Sequence, residues 1–215
     1  MTELRICFVG DSITHGTQDD TTLGWPGRLC AKARKRGHDV SHYNLGIRRD
    51  TSRDIAKRWQ AECEARLPST SPGAIVFSFG VNDMGCDKDN LFRIAPSESH
   101  KIAETIVAAA AARWPVLWIS PVPIGRGGAN HGNRAVWMLE EDYQDKRLAQ
   151  LVPDYAAIAA RLNVPYLDLF TPLSASRRWH WALAGGGDGV HPSKRGYGMM
   201  ARLIERWSGW QAWLK

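Results

Sequence analysis

LRICFVGDSITHG, residues 4–16, is the stretch on which the reading of the fold turns. Its first half is a short apolar run, the pattern of a strand buried on both faces of a sheet. Gly10 ends the run, and Ser12 and Thr14 occupy the strand-to-helix turn that follows. Four further runs have the same character: Val40–Leu45, Gly73–Gly80, Val116–Ser120 and Pro165–Phe170. Helical patterns separate them, around 24–36, 51–67, 98–113 and 140–162, with a last one at about 194–213. The second opens on Thr51-x-x-Asp54, a capping-box pattern, and carries Ile55, Trp59, Cys63 and Leu67 at i+4 steps. The fourth contains Pro153 and is expected to kink or split there. Strands alternating with helices predict an α/β sandwich with right-handed crossovers.

The chain has 215 residues, 44% hydrophobic and 23% charged, which suits one domain over 1–215 with a single large core. No repeat or linker divides it. No apolar run is long enough to span a bilayer, and no membrane partner is expected. The first strand starts almost at Met1, which leaves no room for a secretory leader, so the expected location is cytoplasmic. Cys7, Cys30, Cys63 and Cys86 are scattered and expected to be reduced thiols. The formal net charge is +6, and the densest cationic run is Lys32 to Arg36. Trp25, Leu29 and Ala33 form a narrow apolar stripe through that segment, which places most of the cations on a solvated face. No nucleic-acid partner is expected.

Functional groups in an open parallel sheet collect beyond the strand C-termini. Ser12 follows the first run, Gly46 the second and Asn82 the third. Asp188 and His191 lie three apart in DGVHPS (188–193), in the segment that leaves the fifth run and precedes the last helix. A serine hydroxyl needs an imidazole to take its proton, and the imidazole needs a carboxylate to fix its tautomer. Taken singly, each residue has a plain structural role: Ser12 a helix cap, Gly46 a turn, Asn82 an Asx-turn, Asp188 and His191 polar loop residues. Their co-occurrence at strand ends is what points to catalysis.

Four blocks in order, GDSI (10–13), NLGIRRDTS (44–52), GVND (80–83) and DGVHPS (188–193), make the chain resemble the GDSL-type esterases, also called SGNH hydrolases, from near residue 5 to about 200. The resemblance implies a three-layer α/β/α sandwich of flavodoxin-like type, with a five-stranded parallel sheet in the order 2-1-3-4-5. It also implies ester hydrolysis through an acyl-enzyme; no cofactor and no metal are expected. In that reading Ser12 is the nucleophile, His191 the general base and Asp188 its partner. The backbone N–H groups of Ser12 and Gly46, with the Asn82 amide, form an oxyanion hole.

The expected function is a serine esterase acting on a small-molecule ester of short acyl chain. A carbohydrate O-deacetylase or a thioesterase is the alternative within the same chemistry, and a non-catalytic flavodoxin-like binding module the alternative outside it. Arg48 and Arg49 either face the cleft and favour an anionic substrate or pair with Asp50 or Asp54. Trp179 and Trp181, in the glycine-ended segment 177–187, either wall an acyl pocket or pack that segment against the domain. The glycine-rich segment 125–134 reads as a loop over the cleft. His15, Asp19 and Asp20 read as a solvated loop rather than a metal site, and Cys86 as a small loop residue. The oligomeric state is not specified by the sequence.

Overall fold

A computed structural model describes residues 3–85, 92–124 and 141–214, with side chains omitted for 141–144. Five parallel strands form one sheet: β1 (Leu4–Gly10), β2 (Val40–Gly46), β3 (Gly73–Ser78), β4 (Val116–Ile119) and β5 (Tyr166–Leu167). Their order is β2-β1-β3-β4-β5, as the resemblance implies. β1 lies between β2 and β3, with Gly10 level with both Gly46 and Ser78. The segments that leave β2 and β3 therefore flank the segment that leaves β1.

Alternation along the strands assigns side chains to two cores. Cys7, Val9, Ile75 and Phe77 face one way. They meet helices α3 (Ser52–Glu64), α4 (Pro96–Ala111) and α5 (Glu141–Arg161). Ile6, Phe8 and Val76 face the other way, toward α2 (Gly24–Lys35) and α8 (Lys194–Arg206). The stripes read from sequence are the buried faces: Trp25, Leu29 and Ala33 on α2, and Ile55, Trp59 and Cys63 on α3. Thr51 caps α3 with the full reciprocal box, its side chain accepting from the Asp54 N–H while Asp54 accepts from the Thr51 N–H at 3.1 Å.

The structure departs from the sequence reading at several element boundaries. α5 does not split at Pro153 but continues through it. Leu148, Leu151 and Val152 before the proline and Tyr155, Ile158 and Ala159 after it belong to the same core, and that burial holds both halves in register despite the missing N–H. β5 is only two residues long because the Ser120 hydroxyl accepts the N–H groups of Leu169 (2.9 Å) and Phe170 (3.2 Å), which turns the chain into α6 (Phe170–Ser174). Segment 177–187 is largely a helix, α7 (Arg177–Ala184). The last helical pattern breaks at Trp207, which is extended, and restarts as α9 (Ser208–Ala212). The break lets Trp210 bury fully, 6.5 Å from the Phe8 ring. Cys7, Cys30 and Cys63 are buried free thiols. Segment 125–134 and Cys86 lie outside the described residues. Among the described residues no helix is long and apolar enough to cross a membrane.

Candidate active site

The turn after β1 is built by crowding. A Cβ on Gly10 would sit 2.1 Å from the Ser78 carbonyl oxygen, and one on Gly46 would sit 2.2 Å from the His15 nitrogen. Only glycines let β1, β2 and the short helix α1 (Ser12–His15) approach so closely. Asp11 caps α1, its Oδ1 accepting the Ile13 N–H at 2.9 Å. Its other oxygen is buried without a partner among the described residues. Burial pushes the Asp11 carboxyl up to about 7, against the lowering effect of the Ile13 N–H and of the charge on His191. Ser12 thus stands first in a helix, where its N–H has no intrahelical acceptor.

The far end of the chain meets this turn. His191 Nε2 lies 2.8 Å from Ser12 Oγ, and His191 Nδ1 lies 2.8 Å from Asp188 Oδ2. Ser12 and His191 are both buried. Asp188 also accepts the Val190 N–H at 3.0 Å and the His191 N–H at 2.7 Å, so one carboxylate organises its own turn and the ring beside it. Burial raises the Asp188 carboxyl, but the His191 hydrogen bond and charge and the two backbone N–H groups outweigh it. The group is held well below the usual carboxylate range. An ionised Asp188 can only accept, so Nδ1 carries the proton and Nε2 presents its lone pair to the Ser12 hydroxyl. Gln18 Nε2 donates to the same oxygen, Asp188 Oδ2, at 3.4 Å.

Asn82 is fixed from both ends. Its Nδ2 donates to the Asp50 carbonyl at 2.9 Å, and its Oδ1 accepts from Arg93 Nη1 at 3.2 Å. Arg93 Nη2 also donates to the Arg49 carbonyl at 3.0 Å, so one guanidinium ties the segment after β2 to the segment after β3. Arg49 is in the left-handed region, at φ 72°. The amide orientation is thereby determined, and one Nδ2 hydrogen stays available beyond the bond to Asp50. Asp83, the next residue, is fully buried and accepts from the Ser52 N–H (2.7 Å) and the Ser99 hydroxyl (2.6 Å). Burial still raises its carboxyl above the ordinary value.

Several expected roles are corrected. Gly46 does not offer its N–H to the cleft, because the Asn44 side-chain oxygen accepts it at 3.0 Å. Asn44 in turn donates to the Thr14 carbonyl at 2.9 Å, so this pair braces α1 against β2. Arg48 and Arg49 are both exposed. Asp50 is bound by Arg58 at 2.7 Å, and Asp54 lies 3.6 Å from Lys57. Trp179 is wholly buried, its indole N–H donating to the Pro123 carbonyl at 2.9 Å, so it packs α7 onto the domain rather than walling a pocket. Trp181 is exposed, with the Arg195 guanidinium 4.9 Å over its ring. Asp19 is not solvated: its side chain is buried, accepts the Gly24 N–H at 2.8 Å and is paired with Arg28. Arg93, Asp83, Asn44 and Gln18 were missed in the sequence. Only the D following Asn82 in GVND gave a local signal.

A parallel sheet carries a serine, a histidine and an aspartate in hydrogen-bonded series at its carboxyl edge, a geometry compatible with nucleophilic chemistry at the serine. The GDSL-like lipase/acylhydrolase family model matches residues 8–199, and the chain belongs to that family. Comparison with curated proteins finds no match. Among solved structures, the chain is similar to the lipase/acylhydrolase from Enterococcus faecalis, at 24% identity and TM-score 0.71 over 94% of this chain and 93% of that one. It is also similar to an acetylxylan esterase from Geobacillus stearothermophilus, at 18% identity and TM-score 0.67 over 95% of each chain. A third similar structure is an aryl esterase from M. smegmatis, at 19% identity and TM-score 0.68 over 94% and 96%. At these identities the likeness is one of fold.

Proposed function

We propose that the chain is a serine esterase that hydrolyses small carboxylic esters of short acyl chain through an acyl-enzyme. The observation that carries this reading is the unbroken series Ser12 Oγ–His191 Nε2 and His191 Nδ1–Asp188 Oδ2, each step 2.8 Å, joining residues 179 positions apart. His191 takes the Ser12 proton as Oγ bonds to the ester carbonyl carbon, and the carbonyl electron pair moves onto oxygen. The imidazolium then returns that proton to the departing alkoxide as the ester C–O bond breaks. Water repeats the sequence, with His191 again taking the proton, and releases the acid and free Ser12. Asp188 keeps the imidazole in the required tautomer and stabilises its charged form. The oxyanion is met by the Ser12 N–H at the start of α1 and by the second Nδ2 hydrogen of Asn82.

Initial rates with a p-nitrophenyl acetate substrate test this reading. Ser12→Ala is expected to lower kcat/KM by about 10⁴-fold or more while circular dichroism stays unchanged. A folded Ser12→Ala protein within tenfold of the parent rate would contradict it.

A further inference from the structure

A cleft of about 820 Å³ lies on the faces of α2 and α8 that do not meet the sheet, with α7 supplying Arg177, Arg178 and Trp181. Its lining contains neither Ser12 nor His191, so it is separate from the site described above and independent of the esterase reading. Most of the lining side chains are Lys or Arg, and none is acidic. Three are balanced by carboxylates outside the lining: Arg28 by Asp19, Lys32 by Glu205 and Lys194 by Asp20. Lys35, Arg177, Arg178 and Arg202 are exposed and have no carboxylate partner among the described residues. In a chain of net charge +6 this gathers four exposed cations around one concave place. A concave, low-dielectric wall focuses such a field.

The lining also carries apolar side chains. Leu23 and Trp181 are among the few large hydrophobic side chains left exposed, at 46% and 53%, and both line this cleft together with Met199. Exposed apolar side chains lying among several cationic ones suit a ligand that is itself flat at one end and multiply anionic at the other. The volume falls in the range of small-molecule sites, roughly 300–1,000 Å³. The basic stretch of each helix spans about eight residues, or ~12 Å at ~1.5 Å per residue. That length fits one small molecule and is short for tracking a nucleic-acid strand, while the concavity does not fit a flat membrane. We propose that this cleft binds a small organic polyanion, a flat apolar body carrying two or more phosphate groups.

Titration calorimetry with adenosine triphosphate as the probe tests this. ATP is expected to bind one-to-one to the parent protein, and equally to Ser12→Ala, since the triad takes no part. The Arg178→Glu/Arg202→Glu double variant changes two exposed side chains and should retain the parent melting temperature. It should raise Kd at least tenfold, and Trp181→Ala should raise it severalfold. Inorganic tripolyphosphate should bind more weakly than ATP. The proposal is overturned if ATP does not bind saturably, if the folded double variant binds as the parent does, or if tripolyphosphate binds as tightly as ATP. It is equally overturned if only a single-stranded oligodeoxythymidine or phosphatidylglycerol vesicles bind, which would make the cleft part of a macromolecular or membrane surface.

Discussion

Single side chains decide how the site behaves, and two of them lead to measurable consequences away from the nucleophile itself. Arg93 holds the Asn82 amide in one orientation and ties it to the Arg49 carbonyl. It does not reach the reacting atoms in this scheme and acts as a positioning residue. Arg93→Ala should lower kcat on the order of 10–10²-fold with little change in KM, because a loosened donor is missed chiefly in the transition state. Removing the donor itself, in Asn82→Ala, should cost more, roughly 10²–10³ in kcat. Steady-state kinetics separate the two, and a rise in KM alone for either variant would contradict the oxyanion role of Asn82. The second consequence concerns pH. Asp11 is raised in the folded chain to about 7 from an ordinary 3.8. Between those values the native state keeps a proton that the unfolded chain has lost, so this group withdraws stability as pH rises through that window. Asp11→Asn keeps the acceptor for the Ile13 N–H and removes the titration. Relative to the parent, its unfolding free energy should rise on going from pH 4.5 to pH 8 by about 3 kcal/mol. Urea unfolding at the two pH values measures this, and a pH-independent difference would mean that Asp11 is ionised throughout.

At the scale of elements, the close approach of α1 to β2 is what aims Ser12. A methyl group at Gly46 would collide with the α1 backbone at His15 and with the Asp11 carbonyl, 2.2 and 2.7 Å away, and neither can yield without moving the serine. Gly46→Ala should therefore cost roughly 1–3 kcal/mol of stability, detectable as a lowered denaturant midpoint. An unchanged midpoint would show that the crowding is relieved by local movement. This also explains what the sequence could and could not reveal. The apolar periods of 4–10, 24–36 and 51–67 reflect burial on one sheet, and they identified strands, helices and buried faces. The role of Gly46 was misread because a glycine after a strand looks the same whether its N–H is offered or its missing side chain is needed. The choice was made by Asn44, two residues earlier, whose oxygen takes that N–H. Likewise the helix did not split at Pro153, and the last helical pattern did not run unbroken past Trp207, because tertiary burial, not local preference, decides where a helix continues.

Over the whole molecule, the sheet order alone brings the segments after β1, β2 and β3 side by side, and a chain of this length then returns DGVHPS to the same edge. That convergence was legible because each block carries its own turn chemistry. Arg93 was not legible, since its partners, Asn82 and Arg49, are 11 and 44 residues away and nothing in its neighbourhood announces them. The basic run on α2 was legible as a charged face, but its union with Arg177, Arg178 and Arg202 exists only in the folded chain. The central claim is that the fold turns Ser12 into a nucleophile through His191. Its most direct measurement is the mass of the intact protein and of its peptides after treatment with a fluorophosphonate. The account predicts one adduct, on Ser12, formed at least a hundredfold more slowly in folded His191→Ala and absent in Ser12→Ala. An unmodified folded protein, or an adduct on another residue that persists in Ser12→Ala, would contradict it.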